Sequence, residues 1–174
     1  LHPYIGAEEF INGKERWCLW LKGISPAEVK KSKTIYEKVE AVREFRLASK
    51  AKTTNGYAKV PHLFAQITQP DNVNYLIVPR VSSERRRYAP IGFMDAIVIS
   101  SDAVQIVPNA TLYHFGVLTS NVHMAWMRAV CGRLKSDYRY SKELVYNPFP
   151  WPTPTVAQKA KIEQTAQAIL DARA

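Results

Sequence analysis

Between Leu112 and Cys131 the apolar residues Phe115, Leu118, Val122, Ala125, Trp126 and Ala129 recur at helical spacing, whereas the preceding sixty residues carry only short β-type runs. Those runs are Leu63–Ile67, Tyr75–Val78 and Ile97–Ser100 or Val104–Val107, separated by prolines and polar turns. Two periodicities held in separate stretches predict an α+β chain: a mixed sheet with two long helices and the start of a C-terminal helical region. The first helix opens at Ser25, where an N-cap serine, Pro26 at the first helical position and Glu28 three residues past the cap coincide. It places Ile35, Val39, Val42, Phe45 and Arg46 on related faces and should end near Ser49. The second spans Leu112 to Cys131 and should bury Trp126. Residues 156–173 begin another, with Ile162, Ala166, Ile169 and Leu170 on one side. Phe10–Leu21 reads as a hairpin about an Asn12-Gly13 turn, and Thr53–Gly56 as a loop.

With 174 residues, 47% of them hydrophobic, one compact unit with a sizeable core is expected. The chain starts at Leu1 without methionine and stops inside a helical pattern at Ala174, so it is expected to be cut from a longer polypeptide. No apolar run approaches the roughly 20 residues of a membrane span and no charged-then-apolar leader opens the chain, which points to a cytoplasmic parent without membrane contact. Cys18 and Cys131, far apart, fit buried thiols in a reducing compartment better than a disulfide framework.

The net charge of +9 is unevenly spread. Segments 25–52, 80–87 and 128–142 carry +4, +3 and +4, so everything else sums to −2. Folding that merged these segments would create a face complementary to a polyanion, with nucleic acid the leading partner.

Enzyme signatures are missing from the sequence. His114 and His123, nine residues apart on one helix, point to opposite faces and cannot share a metal. There is no Cys-x-x-Cys, no His-Glu-x-x-His and no Gly-rich phosphate loop between a strand and a helix. Glu28-Val29-Lys30 offers the carboxylate-x-lysine pair of a metal-dependent nuclease, but the first aspartate, Asp71, lies downstream of it. Asn147-Pro148-Phe149 superficially matches the catalytic loop of amino-methyltransferases, yet no glycine-rich cofactor loop precedes it. No catalytic residue, metal or cofactor is therefore expected in this chain.

Two basic segments offer recognition chemistry. Arg80, Arg85, Arg86 and Arg87 follow a strand, and their forks match phosphate oxygens or the O6/N7 edge of guanine; Ser82 and Ser83 supply hydroxyls. Surface ion pairing with Glu84 is the alternative. In Gly132–Ser141, Arg133 and Arg139 suit phosphates, while Lys135 and Asp137, two apart, would share a face if extended. Lys135 would then donate to guanine O6/N7 and Asp137 accept from cytosine N4 of one G·C pair, each contact discriminating by roughly 1–3 kcal/mol. A same-face salt bridge, or a polar hairpin with a solvated face, fits these residues as well. Tyr138 and Tyr140 either flank the nucleic acid or pack in the core. An RNA-binding module or a protein-interaction domain without DNA specificity remains open on composition.

Phe10–Leu21, Val42-Arg43-Glu44-Phe45-Arg46, Pro79–Tyr88, Ser120–Trp126, Gly132–Ser141 and Tyr146–Pro152 together resemble the target-recognition domain of the MmeI-like family, the type IIL restriction-modification enzymes and related DNA methyltransferases. The resemblance covers nearly the whole chain. It implies a double-stranded DNA recognition domain over 1–152, and 153–174 as the start of the family's C-terminal helical region. It further implies a parent that methylates adenine N6 with S-adenosylmethionine, sometimes fused to a nuclease, its catalytic and cofactor motifs in an upstream methyltransferase domain of the same polypeptide. At the positions of Lys135 and Asp137 it implies a base-pair-reading couple, the Lys/Asp combination favouring G over C on the strand that Lys135 reads.

Overall fold

Asn12-Gly13 ends a helix instead of turning a hairpin. Glu9 accepts the Gly6 amide (2.8 Å) at the helix start, and Gly13, at φ 62°, supplies the left-handed residue that closes it. An Asn-Gly pair serves either purpose; the acidic first turn at Glu8 and Glu9 decides for the helix. In the computed structural model, which describes residues 1–173, the order is β1 (His2–Ile5), α1 (Ala7–Asn12), β2 (Trp17–Cys18), α2 (Pro26–Val29), α3 (Lys33–Leu47), α4 (Lys52–Gly56), β3 (Tyr75–Pro79), β4 (Val81–Ser82) and β5 (Gly92–Met94). There follow β6 (Ile99–Ser100), β7 (Val104–Pro108), α5 (Leu112–Leu118), α6 (Asn121–Val130), β8 (Gly132–Leu134), β9 (Asp137–Arg139) and α7 (Val156–Asp171). The class is α+β. In place of one compact unit there are two: the first holds Leu1–His2 and Cys18–Gln69, the second Pro3–Trp17 and everything from Pro70 on.

In the first unit the Ser25 cap is built as expected, its hydroxyl accepting the Glu28 amide at 3.2 Å. The helix breaks after one turn, however, because Ser32 caps a second start at α3. Of the expected apolar face only Val39 is buried, and Phe45 is 75% exposed. Arg46 does more than any apolar residue to hold the following loop: its guanidinium donates to the carbonyls of Tyr57 (3.0 Å), Val60 (3.1 Å) and Leu63 (2.8 Å). Leu63–Ile67, expected as a strand, is irregular backbone held at Leu63 by the last of these bonds, and Thr53–Gly56, expected as a loop, lies within α4.

In the second unit the continuous run Tyr75–Pro79 is buried on both faces, as an unbroken apolar strand must be. Leu76 and Val78 join a core with Ile91, Phe115, Leu118, Met124 and Met127, while Tyr75 and Ile77 pack with Val104 on the other side. β3 is central in an antiparallel sheet of order β5-β3-β7. A second sheet, β4-β9-β8, is antiparallel, and β1 pairs in parallel with β6 through Tyr4↔Ile99. Arg80 joins the first two sheets: its amide donates to Ala103 (3.0 Å) of the β7 side and its carbonyl accepts from Tyr140 (2.7 Å) beyond β9.

The helix expected over 112–131 is two helices. Thr119 Oγ bonds back to the Phe115 carbonyl (2.7 Å) and Ser120 accepts the His123 amide (3.1 Å), which starts α6 afresh. The restart rotates the buried face: His123, Met124 and Met127 point inward, while Val122 is 70% exposed and Trp126 is half-buried with its indole N–H on the Val145 carbonyl (2.9 Å). α7 packs against α5 where Gly116 leaves no side chain; a Cβ there would sit 2.7 Å from Ile162 Cγ2 and 3.2 Å from Ala166 Cβ.

Candidate nucleic-acid interface

Strand pairing brings together two basic segments about fifty residues apart in sequence. Val81 of β4 lies opposite Arg139 of β9, and Ser82 opposite Tyr138. β9 in turn pairs with β8 through Gly132↔Arg139, Arg133↔Tyr138 and Leu134↔Asp137. Alternation along β9 sends Tyr138 into the core, and Tyr140 follows it inward, so neither ring flanks a ligand on this face. Asp137 and Arg139, the intervening residues, face outward. The arginine loop after β4 is tied to this hairpin by the Glu84 amide, which donates to Asp137 Oδ1 at 3.3 Å.

The hairpin connection is Lys135-Ser136, and Lys135 stands at its tip with φ 56°. For a residue with a Cβ this conformation costs roughly 1–2 kcal/mol, a strain seldom kept without a functional reason. Lys135 and Asp137 are thus not neighbours on an extended strand, as their spacing implies; the turn places the ammonium at the tip and the carboxylate one residue down the outer face. No salt bridge joins them among the described residues.

The predicted site residues divide by their surroundings. The side chains of Arg80, Arg85, Arg86, Lys135 and Arg139 are exposed and, among the described residues, have no hydrogen-bond, ion-pair or ring partner, so Glu84 does not neutralise the loop. Arg87 lies 5.4 Å over the Tyr88 ring, and its carbonyl accepts from Arg128 (3.2 Å). Ser83 braces the loop by accepting the Arg85 amide at 3.3 Å. Ser82 is only 7% exposed, opposite Tyr138, which leaves its hydroxyl no outward role. Arg133 is engaged twice: Nη1 donates to the Ser136 carbonyl (3.0 Å), and the guanidinium rests 4.2 Å from the Tyr138 ring centroid.

Beneath the hairpin, residues that sequence reasoning had not linked support it. His123 Nε2 lies 3.0 Å from the Tyr140 hydroxyl, and its ring meets Phe149 edge-on at 4.6 Å. Burial depresses its pKa to about 4, and burial raises that of Tyr140. Phe149 and Trp151, from the proline-rich segment that superficially matched a catalytic loop, form an aromatic cluster with His123, Trp126 and Tyr146. The third basic segment, 25–52, lies in the first unit. Among the described residues no group of three or more His, Cys, Asp or Glu side chains is placed to hold a metal, and no helix is long and apolar enough to cross a membrane.

A mixed fold with a lysine at a hairpin tip and, in the loop beside it, Arg85 and Arg86 unpaired among the described residues has the features of a recognition module. The family is specific: residues 1–153 match the model of the MmeI target recognition domain, and the chain belongs to that family. It is 41% identical over 170 residues to DNA methyltransferase A of Bacillus subtilis (strain 168), covering 98% of this chain and 19% of that protein. The solved structure of the Type IIL restriction-modification enzyme MmeI in complex with DNA contains a region that superposes with a TM-score of 0.95 at 48% identity, over 99% of this chain and 23% of that one. The chain thus spans less than a quarter of the length of either relative.

Proposed function

We propose that this chain is the sequence-reading module of a DNA (adenine-N6) methyltransferase or restriction-modification protein. It docks on duplex DNA through the β4-β9-β8 sheet, taking phosphates with Arg80, Arg85, Arg86, Arg87 and Arg139 and reading one base pair with Lys135 and Asp137. The observation that carries this reading is the joining of two cationic segments on one sheet with five of their cations left unpaired. Desolvated or exposed, such forks are complementary to phosphate oxygens. The inward turn of Tyr138 and Tyr140 favours a duplex over single strands, which are gripped by exposed stacking rings.

The module performs no bond chemistry in this reading. It fixes the register of the DNA so that a methyltransferase domain of the same polypeptide, working in the cytoplasm with S-adenosylmethionine, finds its adenine in place for flipping and transfer. Selection of the chain against randomised duplexes across a salt series tests it. Enrichment of a short motif with affinity falling steeply as salt rises is expected. Binding that survives high salt, or no binding to any duplex at low salt, would overturn the proposal in favour of a protein-interaction domain.

A further inference from the structure

We propose that Arg133 is a positioning residue that holds Lys135 in its left-handed turn conformation, and not a phosphate contact. The inference deepens the reading of the hairpin as a base reader and rests on it. Lys135 adopts φ 56° in a two-residue connection where glycine or asparagine would be expected, so something outside the residue must hold the turn. Arg133 is placed to do so. Its Nη1 donates to the carbonyl of Ser136, the second turn residue, at 3.0 Å, and so crosses the turn from the incoming strand. Its guanidinium carbon lies 4.2 Å from the Tyr138 ring centroid, and Tyr138 is its direct cross-strand partner and only 7% exposed. The fork therefore rests on a ring locked into the core, which makes it a stiff brace.

The same geometry removes Arg133 from the reading face. It shares the side of the hairpin that Tyr138 occupies, whereas Leu134, Asp137 and Arg139 occupy the other. On that outer side the Glu84 amide fixes Asp137. The turn is thus pinned at Ser136 from one flank and at Asp137 from the other, and Lys135, the residue before Ser136, has its backbone set before any ligand arrives. Preorganisation of this kind sharpens discrimination without adding a contact.

Arg133→Lys and Arg133→Met separate the two roles. Lysine keeps the charge but cannot cover the ring and reach the carbonyl as a planar fork does; methionine keeps the stem and loses the charge. In the free chain, the HN–Hα coupling and Cα shift of Lys135 should lose their left-handed signature in both variants while the unfolding midpoint stays close to that of the parent. With duplexes differing at the base pair that Lys135 reads, both variants should lose about tenfold in discrimination, with the salt dependence unchanged in Arg133→Lys. An unaltered Lys135 conformation in both variants would overturn the proposal whatever the DNA result. So would full discrimination in Arg133→Lys combined with a salt slope lower by about one in Arg133→Met, the behaviour of a phosphate contact. Failure of the parent chain to discriminate any base pair would instead strike at the reading of the hairpin itself.

Discussion

The Glu84 amide and Asp137 Oδ1, 3.3 Å apart, couple a loop and a hairpin that lie 53 residues apart in sequence. One carboxylate oxygen is held by the protein, which leaves the other, in the reading proposed above, for a donor such as a cytosine amino group. Asparagine preserves an acceptor for Glu84 but introduces an amide that no longer carries charge. Asp137→Asn should therefore keep the unfolding midpoint while shifting base preference. Asp137→Ala should in addition speed hydrogen exchange at the Glu84 amide, by an amount corresponding to about 0.5–1.5 kcal/mol. Equal protection of that amide in both variants would show that the bond does not order the loop.

His123 makes stability depend on pH. The folded chain keeps this imidazole neutral down to about pH 4, because burial penalises its cation, whereas the unfolded chain protonates it near 6.5. In the window between, the unfolded state binds more protons, so the contribution is fully present above pH 6.5 and is lost as pH falls toward 4. The loss is roughly 3 kcal/mol. His114, also depressed by burial and then by Lys159, acts in the same direction. His123→Phe paired with Tyr140→Phe, which leaves no hydroxyl without its partner, should flatten denaturation midpoints over this window. A profile as steep as the parent's would assign the dependence to other groups.

Arg46 should be the weak point of the first unit. Three carbonyls depend on one guanidinium, and few buried apolar residues are there to compensate. Arg46→Met retains much of the stem packing and should cost roughly 2–4 kcal/mol, since hydrogen bonds to a charged group are each worth about 1.5–3 before allowance for solvent. Hydrogen exchange should rise across 57–65 and stay unchanged in β3. Uniform change across both units would contradict this.

Gly116→Ala tests the seat of α7. A methyl 2.7 Å from Ile162 Cγ2 and 3.2 Å from the Ile162 carbonyl must push the helix away, at about 1–3 kcal/mol. Ile162→Ala on that background should recover part of the loss, because the first clash is with a side chain. No recovery would place the strain in the backbone of α7.

Sequence legibility followed the range of the interactions involved. β3 was readable because an unbroken apolar run must be covered on both faces, and the cap at Ser25 because its partner lies three residues away. The split between α5 and α6 was hidden, since Ser120 is also tolerated within a helix and the apolar spacing runs on through it. Once the helix restarts, that spacing describes an exposed face at Val122. The residues of the candidate site were legible as chemistry. Their arrangement was not: the β4–β9 pairing is non-local, and a left-handed Lys135 leaves no mark in a sequence without glycine at that position.

Arg86 and Lys135 should fail in different ways, and their contrast tests the division of labour on this face. Arg86 is exposed, lies in the loop and has no partner within the described chain, so its fork is available to a phosphate common to every duplex. Arg86→Ala should weaken all sequences alike and lower the salt slope by about one. Lys135 stands at the hairpin tip, where, in the reading proposed above, a single ammonium meets the O6/N7 edge of one guanine. Lys135→Ala should therefore relax preference at one position by roughly 1–3 kcal/mol, with little effect on sequences that already lack the matching base. Parallel binding measurements on cognate and singly substituted duplexes separate the two. If both variants lost affinity equally on every sequence, Lys135 would be a phosphate ligand and the base-reading role would have to lie elsewhere on the sheet.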